Sequence, residues 1–243
     1  EQKKIAILSG AYAESLNAGE VWHFFNKELN YPISLMNSES FSPDQLNGFD
    51  ILIVPEGYYG GVIGNAKDAL DEWINKGGKI IAIGSALSAF NSDNGFALKA
   101  KATNTADTTS NENRHEHAHI TYDAQEREAI KNTITGAIFK CKVENTNPLA
   151  FGYGDTYFSL KLSANSYDLL PNGNNVVYID KDSVPIAGFA GCNTLANLPK
   201  TLVFGQENRG NGCIIYMVDN PLFRGFWENG KLLFVNALFY ANN

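Results

Sequence analysis

The stretch that most constrains the fold is residues 79–90, KIIAIGSALSAF. Lys79-Ile80-Ile81-Ala82-Ile83 is a nearly continuous apolar run, the pattern of a short strand buried on both faces. Gly84-Ser85-Ala86 then turns sharply, and Leu87-Ser88-Ala89-Phe90 can start a helix. A strand–turn–helix corner of this kind exposes one side chain at the carboxyl end of a parallel sheet. Small residues suit such a corner. The Cys or Ser expected at such a crest does not clearly appear in Gly84-Ser85-Ala86.

The chain before this corner alternates strands with helices. Residues 3–9 read as a first strand ending at Gly10. Ser15 or Asn17 can cap a helix to about Leu29, with Val21, Phe24, Phe25 and Leu29 at helical spacing. Tyr31-Pro32 breaks it, residues 33–36 form a short strand, and Pro43 to Leu46 makes one helical turn. Residues 49–54 (FDILIV) form a third strand, closed by Pro55-Glu56-Gly57. Residues 58–61 read as a flexible aromatic loop. Residues 65–75 form an amphipathic helix with Ala66, Ala69, Leu70, Trp73 and Ile74 inward, ended by Gly77-Gly78. Such alternation implies a parallel sheet with right-handed crossovers. Ligands in such sheets sit beyond the carboxyl ends of the strands. Three loops meet there: residues 9–17, 55–64 and 84–88.

The pattern changes after residue 99. Residues 100–119 begin as a small, polar, aperiodic stretch that reads as a long loop. Residues 120–205 carry strand signals at 137–142, 155–162, 175–179, 186–189 and 202–204, separated by turn signals such as Pro171-Asn172-Gly173-Asn174. They read as a β-rich antiparallel insertion into, or beside, the parallel sheet. Residues 206–243 return to the core with an apolar strand at 212–218 and a strongly apolar helix at 231–240. The expected organisation is one domain over residues 1–243, with a parallel α/β core in residues 1–99.

Composition narrows the function classes. The 243 residues are 44% hydrophobic and 19% charged, an ordinary globular balance, and the formal net charge is −7. That charge argues against nucleic-acid binding, which needs a basic stripe for phosphates. No apolar run is long enough to span a bilayer. The chain begins Glu1-Gln2-Lys3-Lys4, with no visible signal sequence, as expected of a piece of a longer protein. Cys141, Cys192 and Cys213 are odd in number and lack CxxC spacing, which leaves one disulfide plus a thiol, or three buried thiols.

Little in the chain offers nucleophilic chemistry. Ser85 lies one residue before the crest and would need a base within hydrogen-bond reach. Asp219 is a weak base for a hydroxyl unless its pKa is raised. No His follows His119. On a strand, His115, His117 and His119 would share one face and could hold a zinc or nickel ion, but the plainer reading of the same residues is a solvated segment after a polar loop. Residues 151–155 (FGYGD) and 219–227 (DNPLFRGFW) are the most aromatic pieces. They could line a sugar or peptide site; the plainer reading packs Phe223, Phe226 and Trp227 at a corner, with Arg224 paired to Asp219.

The order of these pieces resembles that of class I glutamine amidotransferases. VPEGYYGG (residues 54–61) is similar to their oxyanion-loop strand, which commonly ends Pro-Gly-Gly. IGSALS (residues 83–88) stands at the elbow, usually Gly-x-Cys-x-Gly, with Ala86 in place of the Cys and Ser88 in place of the last Gly. YMVDNP (residues 216–221) stands where the family has His-Pro-Glu. Residues 144–161 and 218–239, supported by residues 167–179, 186–191 and 202–227, further resemble the trailing amidotransferase-like domain of bacterial zinc carboxypeptidases. One departure is Asn147, in Asn145-Thr146-Asn147-Pro148-Leu149, where that family often has His. The peptidase zinc motif is absent.

The resemblance implies a flavodoxin-like, three-layer α/β fold of the class I amidotransferase type with the β-rich elaboration. It further implies a secreted or periplasmic parent that is a metallocarboxypeptidase, with the peptidase domain of the same polypeptide as partner. The expected function is a non-catalytic accessory domain that supports the peptidase or binds peptide or glycan. The alternatives are a hydrolase or amidotransferase using Ser85, and a structural oligomerisation module. The degenerate elbow and cleft are expected at Glu56, Gly57, Tyr58, Ser85, Ala86 and Asp219. No catalytic residue, cofactor or metal is assigned.

Overall fold

A computed structural model describes residues 2–102, 121–181 and 184–241. The His115, His117 and His119 cluster lies outside the described residues. In chain order the strands are β1 (Ile5–Ser9), β2 (Ser34–Asn37), β3 (Ile51–Val54), β4 (Lys79–Ile83), β5 (Ile134–Val143), β6 (Thr156–Lys161), β7 (Asn174–Ile179), β8 (Ala187–Ala190), β9 (Thr201–Arg209) and β10 (Gly212–Met217). The α-helices are α1 (Ser15–His23), α2 (Gly60–Asn75), α3 (Tyr122–Lys131), α4 (Cys192–Asn197) and α5 (Glu228–Phe239). All ten strands join one sheet in the order β2-β1-β3-β4-β10-β9-β7-β5-β6, with β8 also paired to β5. Neighbours from β2 to β10 are parallel. From β10 onward every pairing is antiparallel.

Alternating side chains of the parallel strands supply two separate cores. Ile5, Ile7, Ile51, Ile53, Ile81 and Ile83 face Val21, Phe24 and Phe25 and the inner side of α5 (Leu233, Phe234, Ala237, Leu238). Ala6, Leu8, Leu52, Val54, Ile80 and Ala82 face Ile63, Ala66, Leu70 and Ile74 of α2. The strand period of two sends successive residues to opposite faces. Each large aliphatic side chain so buried contributes about 1.5–3 kcal/mol. Lys79 is buried at the opposite end of β4 from the elbow. Its ammonium donates to the carbonyls of Ala237 at 3.1 Å and Leu238 at 2.9 Å in the last turn of α5. A cation there satisfies carbonyls that have no intrahelical partner. Burial still pushes its pKa down to about 8.

The structure departs from the sequence reading in several places. α2 starts at Gly60, so only part of residues 58–61 is loop. Ala69 faces solvent rather than the core. After the elbow the chain forms a 3₁₀ helix, Gly84–Phe90, not an α-helix. α1 runs on as a π-helical segment, Phe24–Leu29, which puts both Phe24 and Phe25 in the core. The β-rich segment extends the parallel sheet and carries α3 and α4 among its strands. β9 runs through residues 205 and 206, the expected boundary between that segment and the last core strand. All three cysteines are free, and Cys192 is exposed rather than buried.

Candidate functional site

The carboxyl ends of β3, β4 and β10 meet the end of β6 around a cleft of about 240 Å³. Glu56 and Tyr58 line it from the loop after β3, Ser85 from the elbow and Asp219 from the segment after β10. Leu160, Leu162 and Val218 supply an apolar wall. Of the six positions expected from sequence, these four therefore share one cavity. Gly57 and Ala86 form its backing: Gly57 is bonded to Ser85, and Ala86 is fully buried.

Two glycines make the geometry possible. Gly84 has φ +56°, and a β-carbon there would come within 2.6 Å of the Glu56 side chain. An L side chain is disfavoured at that φ and would displace the carboxyl group. A β-carbon on Gly57 would lie 2.2 Å from the Tyr12 carbonyl oxygen, so only glycine lets the two loops touch. On its elbow side the Gly57 N–H donates to Ser85 Oγ at 2.9 Å. Ser88 Oγ donates to the Ser85 carbonyl at 2.8 Å, which tightens the turn. The corner turns at Gly84, the residue with positive φ, and the loop's N–H is taken by the Ser85 hydroxyl.

The two acidic groups of the cleft differ in their partners. Asp219 accepts from Ser159 Oγ at 2.6 Å and from Lys161 Nζ at 3.1 Å. The Lys161 and Asp219 side chains are 2% and 7% exposed. Arg224, expected to pair with Asp219, instead lays its guanidinium over the Phe223 ring at 5.2 Å. Lys161 stands on the buried face of β6 and reaches Asp219 first. Among the described residues Glu56 meets no cation. It accepts from Asn17 Nδ2 at 2.7 Å. Burial, reinforced by Glu14, Glu20 and Asp219 and partly offset by the Asn220 amide, pushes its carboxyl up to about 7. Glu20 is itself held by Asn220 Nδ2 at 2.7 Å and by the Arg224 N–H at 2.8 Å. That last bond fixes Arg224 at φ +50°.

No imidazole lies beside Ser85 among the described residues. His23 lines a separate groove with Leu16, Phe223 and Arg224. No hydrogen bond joins Ser85 to Glu56 or Asp219 among the described residues. No group of three His, Cys, Asp or Glu side chains there is placed to hold a metal ion. The rings of the aromatic pieces stand off the cleft. Tyr153 donates to the Asn229 carbonyl at 2.6 Å, Phe151 stacks on Tyr240, and Phe226 meets Phe223 edge-on at 5.8 Å while remaining 59% exposed. Asn147 caps the short turn Pro148–Ala150, accepting from the Leu149 N–H at 2.9 Å.

Sequence reasoning missed Lys161, Ser159 and Asn17. The signal for the first two was present in TYFSLK (residues 156–161). Its alternation puts Tyr157, Ser159 and Lys161 on one face, and a lysine on a buried face requires acceptors for its ammonium, a carboxylate among the candidates.

Neither a family model nor any curated protein sequence matches the chain. Solved structures do. A protein assigned to GMP synthase from Thermoplasma acidophilum superposes with a TM-score of 0.55 at 12% identity, over 98% of this chain and 93% of that one. A ThuA-like protein from Bacteroides uniformis gives 0.54 at 12% identity, over 98% and 90%. A glutamine amidotransferase from Thermotoga maritima gives 0.51 at 8% identity, over 98% and 90%. At these identities the likeness shows the fold, which is a mixed α/β architecture of the glutamine amidotransferase-like kind. No helix among the described residues is long and apolar enough to cross a membrane.

Proposed function

We propose that this chain is a non-catalytic accessory domain of a secreted zinc carboxypeptidase-like protein. It supports the peptidase domain and holds peptide or glycan at the carboxyl end of its sheet. One observation carries the inert half of this reading. The elbow register of the sequence puts Ala86 where the nucleophile would stand, and the Ser85 hydroxyl, which lines the cleft, accepts the Gly57 N–H instead of meeting a base. A nucleophilic serine needs a base on its proton and donors left open for the developing oxyanion. The parallel order β2-β1-β3-β4 followed by β10 is that of flavodoxin-like sheets and supports that description of the core. The peptidase partner and the secreted location rest on the sequence resemblance.

A hydrolase reading has one observation in its favour. Glu56, with its carboxyl near 7, shares the cleft with Ser85 and has the basicity of a working general base. The test separates the two. Given glutamine or p-nitrophenyl esters, the isolated chain should release no ammonia or nitrophenol above buffer. Turnover that vanishes in Ser85→Ala would favour the hydrolase. Deleting the domain from its parent should lower soluble yield or raise KM for peptide. A parent unaffected by the deletion would sink the accessory role.

A further inference from the structure

A second and larger cavity lies on the other side of Tyr58. It opens beyond the carboxyl ends of β1 and β2, beside the first turns of α2, and holds about 400 Å³. That is within the size range of small-molecule sites, roughly 300–1,000 Å³. It also lies where the strand order reverses between β1 and β3, the position at which open α/β sheets bind ligands.

Its lining is chemically selective. Tyr58 is 74% exposed and Tyr12 is 44% exposed, and both border the cavity. Their backbones are fixed to one another: the Tyr58 N–H donates to the Tyr12 carbonyl at 2.9 Å, and Ala13 forms a bridge to Gly57. Two open aromatic rings are thus carried on a rigid base. Phe41 adds a third ring to the lining. Among the described residues that border the cavity, Glu39 alone is charged. A phosphate or carboxylate ligand would find a like charge and no base. A metal ion would find one carboxylate where it needs several oxygens. A purely apolar ligand would leave Glu39 and Asn65 without hydrogen bonds. A neutral polyhydroxylated ring avoids all three conflicts. Its C–H face packs on tyrosine, while its hydroxyls donate to Glu39 and exchange hydrogen bonds with Asn65. The first turn of α2, which has no side-chain cap, leaves N–H groups for further hydroxyl oxygens.

We infer that this cavity is a subsite for a neutral saccharide, with Tyr12 and Tyr58 as stacking faces and Glu39 and Asn65 as its hydrogen-bonding edge. The inference deepens the glycan half of the reading above and places the sugar outside the elbow cleft. Because Tyr58 borders both cavities, a linear glycan could continue past it toward Ser85.

The test is titration of the full chain with maltotriose, cellotriose, xylotriose and chitotriose, followed by saturation-transfer NMR and calorimetry. At least one should bind saturably, with an affinity unchanged by added salt because the ligand carries no charge. Tyr58→Ala and Tyr12→Ala should each weaken it by about tenfold or more. The same variants should unfold at the wild-type temperature, since both rings are open to solvent. Ser85→Ala should weaken a trisaccharide by less than either tyrosine variant. No saturable binding by any of the four up to tens of millimolar would overturn the inference, as would wild-type affinity in both tyrosine variants. Tighter, Tyr58-dependent binding of a tripeptide would overturn it too. Failure here leaves the accessory role standing, because that role is read from the yield and KM of the parent.

Discussion

The two walls of the elbow cleft treat their carboxylates differently. On the side where the antiparallel strands join the sheet, Asp219 is neutralised by Lys161 and hydrogen-bonded by Ser159. On the parallel side, Glu56 is half-buried with an amide for a partner and three further carboxylates for neighbours. The first wall is electrostatically complete, so it has little to gain from a ligand. The second is incomplete, which costs folding free energy and leaves binding capacity. The parallel side also carries the fully buried Tyr59 hydroxyl, which has no hydrogen-bond partner among the described residues. Stability and binding are thus separated across the cleft: the antiparallel wall holds the halves of the sheet together, and the parallel wall keeps polar groups in reserve.

The largest test of this contrast breaks the complete wall. Lys161→Ala leaves Asp219 buried with a hydroxyl as its remaining donor. Removing one member of a buried pair costs about 3–5 kcal/mol. Urea denaturation of the variant should show that loss. Replacing both members, Lys161→Met with Asp219→Leu, should recover most of it, because well-packed apolar residues often match a buried ion pair. A Lys161→Ala loss below about 1 kcal/mol, the size expected of an exposed pair, would remove the distinction between the walls.

The second test concerns the incomplete wall and is read from pH. Folded Glu56 keeps its proton up to about pH 7, whereas its ordinary pKa is 4.5. Between those values the folded state binds more protons than the unfolded state. Stability therefore falls as pH rises through this window and levels off above it. Glu56→Gln removes the titration. The variant should match the parent near pH 4 and exceed it at pH 8 by on the order of 2 kcal/mol, the partial exposure of the side chain taken into account. Thermal unfolding across pH 4–8 measures this directly. A wild-type curve as flat as that of the variant would show that the surrounding carboxylates are screened by solvent.

The same contrast explains what could be read from the sequence. The parallel strands announce themselves because each is buried on both faces. Residues 51–54 and 79–83 are apolar runs, the second with a Lys at its start, and all nine residues are buried. The loops at their carboxyl ends follow from topology, so Glu56 and Ser85 could be placed in one cleft without knowing any distance. The antiparallel half is less legible. β9 looks apolar only over residues 202–204, yet Gln206 and Glu207 continue it and are buried. Glu207 is acceptable there because it pairs with Arg209 Nε at 2.6 Å and accepts from the Ala97 N–H at 2.9 Å and from the buried Tyr216 hydroxyl. Arg209 stands two residues on, but Ala97 is remote in sequence and Tyr216 is on another strand. The Lys161–Asp219 pair spans 58 positions, and a local reading prefers Arg224, five residues from Asp219. α3 and α4 escape notice in a strand-rich segment, since neither carries a long apolar stripe.

The smallest test returns to Tyr59. It follows Tyr58 directly, yet its ring is fully buried among Leu8, Leu46, Leu52 and Val54 while Tyr58 stands in solvent. Its hydroxyl has no hydrogen-bond partner among the described residues. An unpaired buried hydroxyl forfeits its hydration and recovers nothing, so deleting it removes a penalty without opening more than a small void. Tyr59→Phe should therefore raise stability by about 1 kcal/mol, against the usual direction of core substitutions. The sign is the informative part. A gain marks a group left unsatisfied on the parallel wall, in line with Glu56. A loss of similar size would mean that an ordered water pairs the hydroxyl in solution, and then Glu56 alone would carry the asymmetry between the walls. Because Tyr59 is the residue before α2, the variant should also leave saccharide affinity at Tyr12 and Tyr58 unchanged, which separates the buried ring from its exposed neighbour.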